Sequence, residues 1–142
     1  MTSNTRAIRT GRLDNTLRGV AYLNDGPNNT PGSIKADLAH NTPGISIFVQ
    51  RIGQANGSPL PLSSKASAGS AHSDGAFFNL GGGDVSVDIP DAPVTSYVGQ
   101  IRIYGTFTGG VIIGEWYDVV AFDTALEAIG ANTIPPPSPA TI

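Results

Sequence analysis

"GGGDVSVDIPDAP", running from Gly81 to Pro93, is the stretch that decides the fold. Val85, Val87 and Ile89 alternate with Ser86 and Asp88, so an extended chain sets three apolar side chains on one sheet face and two polar ones on the other. Pro90 has no N–H to give to a ladder and ends the strand. The glycines ahead of it invite comparison with a phosphate loop. The lysine and hydroxyl of G-x-x-x-x-G-K-S/T are missing, however, and no helix start follows to offer its amide groups. Gly81 to Gly83 therefore read as a turn or bulge leading into a strand.

The same alternation recurs downstream. In "GQIRIYGTFT", Ile101, Ile103 and Phe107 point inward, and Arg102, Tyr104 and Thr106 outward. Gly109-Gly110 then reads as a two-residue hairpin turn, because glycine takes the positive φ that such turns need. The returning "VIIGEWYDVVAF" is apolar on both faces, which suits a central strand or one covered by another subunit. Upstream, "LRGVAYL" and "ISIFVQRI" read as strands. They are bounded by "NDGPNNTPGS" and by "GQANGSPLP", whose Asn56-Gly57 pair suggests the start of a hairpin or meander. "SSKASAGSAHSDG", from Ser63 to Gly75, has no periodicity and reads as a surface loop, after which "AFFNL" is extended. The single helical signal is "DTALEAIG", with Thr124 and Glu127 as a capping box and Gly130 as its stop.

Composition agrees with these patterns. The chain has 142 residues, enough for one core, and glycine (18) with proline (11) supplies many turns while only 13% of residues are charged. Cysteine is absent, so disulfides and thiolate chemistry are excluded. No apolar run long enough to span a membrane occurs and the start lacks the pattern of a secretory signal, so a soluble protein made in a cytoplasm is expected. Charge is uneven: Arg6, Arg9, Arg12 and Arg18 against Asp14 make the first eighteen residues +3 within a chain whose net charge is −3. The expected organisation is a basic arm over residues 1–15, an antiparallel β-sandwich of jelly-roll or immunoglobulin-like type over 16–130, and an extended proline-rich tail over 131–142.

The sequence offers little for catalysis. His72, Ser73 and Asp74 are adjacent in "AHSDG", whereas a Ser/His/Asp triad is assembled from positions brought together in space. Asp84 and Asp88 share the outward strand face and read as solvated carboxylates, with Asp91 beyond the proline, so no metal, cofactor or catalytic set is assigned. Tyr97, Tyr104, Trp116 and Tyr117 are candidate stacking surfaces for a sugar, although Trp116 in an apolar strand suits core or interface better. Four arginines without interleaved aromatics do not suggest nucleic acid.

Taken together, "PGISIFVQRIGQ", "AHSDGAFFNLGGGDVSVDIPDAP", "GQIRIYG" and "YDVVAFD" resemble a β-sandwich domain that recurs in structural proteins of tailed bacteriophages. The matching residues are Pro43, Gly44, Arg51, Gly53, Asp74, Gly75, Ile89, Pro90, Asp91, Ala92, Asp118 and Asp123, spread over more than half of the chain. "GGGDVSV" stands where a "PG-x-Y-R" segment is usual. The resemblance implies a non-enzymatic virion component, with a capsid decoration or cement protein as the leading expectation. Its partners would be the major capsid protein or other virion proteins and further copies of itself, for example in a trimer. On that reading Arg6, Arg9, Arg12 and Arg18 meet acidic neighbours, Ile112, Trp116 and Val120 form an apolar interface, and the tail with Pro135, Pro136 and Pro137 lies along a neighbour. The alternative is a tail-fibre or receptor-binding module that holds a host glycan.

Overall fold

A computed structural model of the chain describes residues 6–25 and 32–121; the helical signal at 123–130, Asp123 and the tail with Pro135, Pro136 and Pro137 lie outside the described residues. The described residues form nine strands and one 3-10 turn, Ala92–Val94, with no α-helix among them. In chain order the strands are β1 Arg6–Arg9, β2 Thr16–Leu23, β3 Ser46–Arg51, β4 Ser63–Ser64, β5 Ala76–Gly81, β6 Asp84–Asp88, β7 Gly99–Phe107, β8 Gly110–Gly114 and β9 Tyr117–Val120. All belong to one sheet of order β1-β9-β7-β8-β2-β6-β5-β4, with β3 on the other edge of β7 and no closure into a barrel.

The sheet is mixed, not antiparallel throughout. β1 runs parallel to β9 and β4 runs parallel to β5. Both parallel strands are short and stand at the ends of the strand order, where each pairs along a single edge. The expected free arm is thus part of the sheet from Arg6 onward. Ile8, the one large apolar residue of "RAIR", is buried, and burying it is the physical reason for docking the segment.

β6 forms where the alternation predicts. Val85 and Val87 are fully buried, each worth about 1.5–3 kcal/mol against exposure, and a one-residue slip would exchange them for Ser86 and Asp88. The turn before it needs glycine: Gly81, Gly82 and Gly83 have φ of 96°, 62° and 91°, a region costly to residues with a Cβ. The polar face of β6 is a correction. Ser86 and Asp88 are buried, not solvated, and the 63–75 segment expected as a free loop covers Asp88 through Lys65 and the Ser73 N–H. Its backbone is tied down by Ser63 N–H to Gly75 O at 3.0 Å, Lys65 N–H to Phe77 O at 3.0 Å and Gly75 N–H to Asp88 O at 2.7 Å.

β7 is the hub. One edge pairs with β3 from Ile101 to Thr106, fifty to sixty residues away in sequence, so "ISIFVQRI" does not open a local hairpin; Leu60 N–H returns one hydrogen bond to Ile47 O. The other edge pairs first with β8 and then with β9. Because Phe107 pairs with Gly110, the central turn residues are Thr108 and Gly109, one position earlier than Gly109-Gly110. "VIIGEWYDVV" is interrupted: between Tyr104↔Ile113 and Ile101↔Tyr117, Gly114, Glu115 and Trp116 stand opposite only Arg102 and Ile103. This is a β-bulge, which bends the strand and re-aims its side chains. One core cluster gathers Ile8, Leu17, Ile47, Phe77, Val87, Ile103, Ile112 and Val119 from eight of the strands.

Candidate functional site

The bulge at Glu115-Trp116 shapes the outward face of the sheet. Arg102 points outward from β7, and its guanidinium lies 4.5 Å from the centre of the Trp116 ring and 5.4 Å from that of Tyr104. Its Nε donates to Gln50 Oε1 on β3 at 2.7 Å, which fixes the plane of the fork. Around it the cross-strand pairs Phe48↔Tyr104, Tyr104↔Ile113 and Val20↔Ile113 place half-buried or exposed apolar groups side by side. Gln100 Nε2 donates to Asp118 Oδ1 at 3.0 Å near the start of β7.

A second cluster lies over the buried face of β6. Lys65 Nζ is 2.9 Å from Asp88 Oδ1, and the same carboxylate accepts the Thr16 hydroxyl at 2.7 Å and the Ser73 N–H at 3.1 Å. Burial acts against ionisation of Asp88, but these hydrogen bonds and the Lys65 charge outweigh it and hold the carboxyl below its ordinary value. His72 closes the cluster. Its Nε2 lies 3.1 Å from Asn15 O and 3.0 Å from Ile89 O, both acceptors, so Nε2 carries the hydrogen. Its Nδ1 faces Asp14 at 3.5 Å and Asp74 at 3.8 Å. His72 thus pins the start of β2 to the end of β6, and Ser73 is used through its backbone; the two do not form a nucleophile–base pair.

The expected interface residues divide. Arg6, Arg9 and Arg12 are exposed and Arg18 is half-buried, with Arg6 Nε 3.7 Å from Glu115 and Arg18 4.0 Å from Asp84. Trp116 is partly exposed on the outward face, and Val120 is partly buried beside Arg9 in the parallel β1–β9 pair. Ile112 has no accessible surface: it lies in the core opposite Ala21 and Gly105, and so cannot meet a partner in this fold. Phe48 and Gln50 belong to the outward face and escaped sequence reasoning, because "ISIFVQRI" is apolar on both alternations. Pairing with β7 supplies the missing information.

The aromatic residues considered for sugar stacking are largely occupied. Tyr117 is buried, Arg51 lies 4.8 Å over the Tyr97 ring, and Arg102 covers Tyr104 and Trp116. Arg51 also donates to Pro93 O and Ala92 O at 3.1 Å each, which caps the 3-10 turn. Among the described residues no group of three or more histidine or acidic side chains is placed to hold a metal ion. Comparison with known proteins finds no matching family model, no matching curated protein and no matching solved structure.

Proposed function

We propose that this chain is a structural subunit of a bacteriophage virion, of the capsid decoration type, which assembles with further copies of itself through the outward face of the β3–β7–β8 layer. The observation that carries the reading is the arrangement around Arg102: Phe48, Tyr104, Ile113 and Trp116 stand outward from the sheet, and the one cation among them lies over two rings. Such a face combines aromatic contact area with little net charge, the composition that suits the centre of an interface. Packing like against like also agrees with the prevalence of self-assembly through closed symmetry. With this goes a finer architecture: the sheet doubles over into two facing layers, a sandwich, because residues of β5 and β6 share one core cluster with those of β3 and β7.

The attachment-module reading has less support. A sugar platform needs an accessible ring face, and Tyr117 is buried while an arginine already takes one face of each of Tyr97, Tyr104 and Trp116. Sedimentation velocity on the full chain, together with counting of its copies in purified particles, tests the proposal. A discrete oligomer present at a copy number comparable to the shell subunit is expected. A monomer at high concentration, or a handful of copies per particle, overturns it.

A further inference from the structure

The first strand and the residues after it enclose, with β9, a cavity of about 230 Å³ lined by Arg6, Ile8, Arg12, Asn15, Thr16 and Tyr117. Its origin is topological. The β2–β8 ladder stops at Gly19↔Gly114, the bulge carries the chain away, and β9 pairs with β7 and β1 instead of with β2. Beside the start of β2 the Arg18 carbonyl takes the Glu115 N–H at 3.0 Å, and the Arg18 N–H goes to the Tyr117 hydroxyl oxygen at 3.1 Å.

The lining is matched to negative charge in three ways. Arg12 has no ion-pair partner among the described residues, and the Arg6–Glu115 contact of 3.7 Å joins two well-exposed groups, a weak attachment. Among the described residues no carboxylate lines the cavity. Tyr117 is only 4% exposed, and its oxygen accepts from Arg18 while its own proton has no acceptor among the described residues. Burial pushes the phenol above its ordinary value, so that proton stays in place as a donor. The remaining polar groups are already committed: the Thr16 hydroxyl donates to Asp88, and Asn15 Nδ2 donates to Arg12 O at 2.9 Å, which steadies the backbone that carries Arg12.

We infer that this cavity is a binding site for an oxyanion of the carboxylate or phosphate class, with Arg6 and Arg12 supplying charge and Tyr117 supplying a directed O–H donor. Its volume is below that of pockets for drug-sized ligands, roughly 300–1,000 Å³, and suits a single anionic group, whether a free ion or an acidic side chain presented by another protein. A free guanidinium fork next to a neutral phenol gives such a group both charge-assisted and directional hydrogen bonds.

The test follows the arginine side-chain and tyrosine ring signals of the full chain by NMR, titrating inorganic phosphate in one arm and a short glutamate-containing peptide in the other. Saturable shifts confined to Arg6, Arg12 and Tyr117 are expected. Affinity should fall about tenfold or more in Arg12→Gln and in Tyr117→Phe, and stay unchanged in Lys35→Gln, which removes the same charge elsewhere. Arg12→Gln alters an exposed side chain and keeps the result interpretable if loss of the Tyr117 hydroxyl disturbs folding. Saturation by phosphate identifies a free ion as the source of the chemistry, and saturation by the peptide alone identifies a partner's carboxylate. Shifts that never saturate, or that weaken equally in Lys35→Gln, overturn the site. The readout uses the isolated chain and stands whether or not the outward face mediates assembly.

Discussion

Lys65 Nζ and Asp88 Oδ1 lie 2.9 Å apart with both side chains shielded from water, at 7% and 0% exposure. A charge in such a place is tolerable only with its partner. Removing Lys65 leaves a buried carboxylate held by two neutral donors, which costs about 3–5 kcal/mol. Lys65→Met should therefore lower unfolding free energy strongly, whereas Lys65→Met combined with Asp88→Leu should be less damaging than the two single changes added together. Urea unfolding of the four proteins measures this coupling, and simple additivity would show that the pair is not energetically linked.

The same carboxylate sets a pH dependence. Asp88 is held below its ordinary value in the folded chain, so between the folded and unfolded values the unfolded chain binds more protons and stability rises with pH. Its contribution is complete above the unfolded value of about 4 and is lost as acid takes the pH down through the lower folded value. In Asp88→Asn the stability measured by denaturant should depend less steeply on pH in that acid window than in the unaltered chain. Equal slopes would remove Asp88 from the account of acid sensitivity.

Gly75 and Gly53 separate backbone strain from crowding. Both have positive φ, 81° and 78°. A Cβ at Gly53 meets nothing, while one at Gly75 collides with the Pro61 carbonyl oxygen, a backbone atom with no easy retreat. Gly53→Ala should cost about 1–2 kcal/mol through its left-handed conformation alone. Gly75→Ala should cost distinctly more, because the Ser63–Gly75 and Gly75–Asp88 hydrogen bonds that hold the 63–75 segment over Asp88 must also shift. Thermal unfolding of the two variants side by side checks the order.

The strands that could be read from the chain were those in which apolar and polar residues alternate, whether or not the polar face stays wet. "DVSVDIP" and "GQIRIYG" announce themselves by alternation, and the glycine turn before Asp84 has no other physical use. What escaped reading depends on partners remote in sequence. Nothing near Asp88 says that Lys65 will cover it, since their contact spans 23 residues of unpatterned polar chain. Nothing in "RAIR" says that Ile8 will find β9 more than a hundred residues later, and four arginines in a short stretch look like a solvated arm until that pairing is made. The bulge is hidden for a related reason: "VIIGEWYDVV" is apolar on both faces, so its pattern is equally compatible with an unbroken strand. The candidate site shares this limit. Trp116 reads as an interface candidate, and its contact with Arg102 and the separation of buried Ile112 from exposed Ile113 follow only from register.

That register yields the last prediction. Ile113 is 37% exposed on the outward face, one residue from fully buried Ile112, so a charge at Ile113 enters water while a charge at Ile112 enters the core. Ile113→Asp should cost about 1–2 kcal/mol and leave the chain folded, because the side chain is only partly covered and the new charge reaches water. Trp116→Ser removes a ring whose contact with half-buried Arg102 is worth about 0.5–1 kcal/mol and should likewise remain folded. If the outward face joins copies, both variants should sediment as folded monomers at concentrations where the unaltered chain is oligomeric, whereas Lys35→Gln, outside that face, should assemble normally. Oligomers that persist through Ile113→Asp and Trp116→Ser would move the interface to another surface, because a carboxylate at the centre of a dry contact has no partner there and costs several kcal/mol to desolvate.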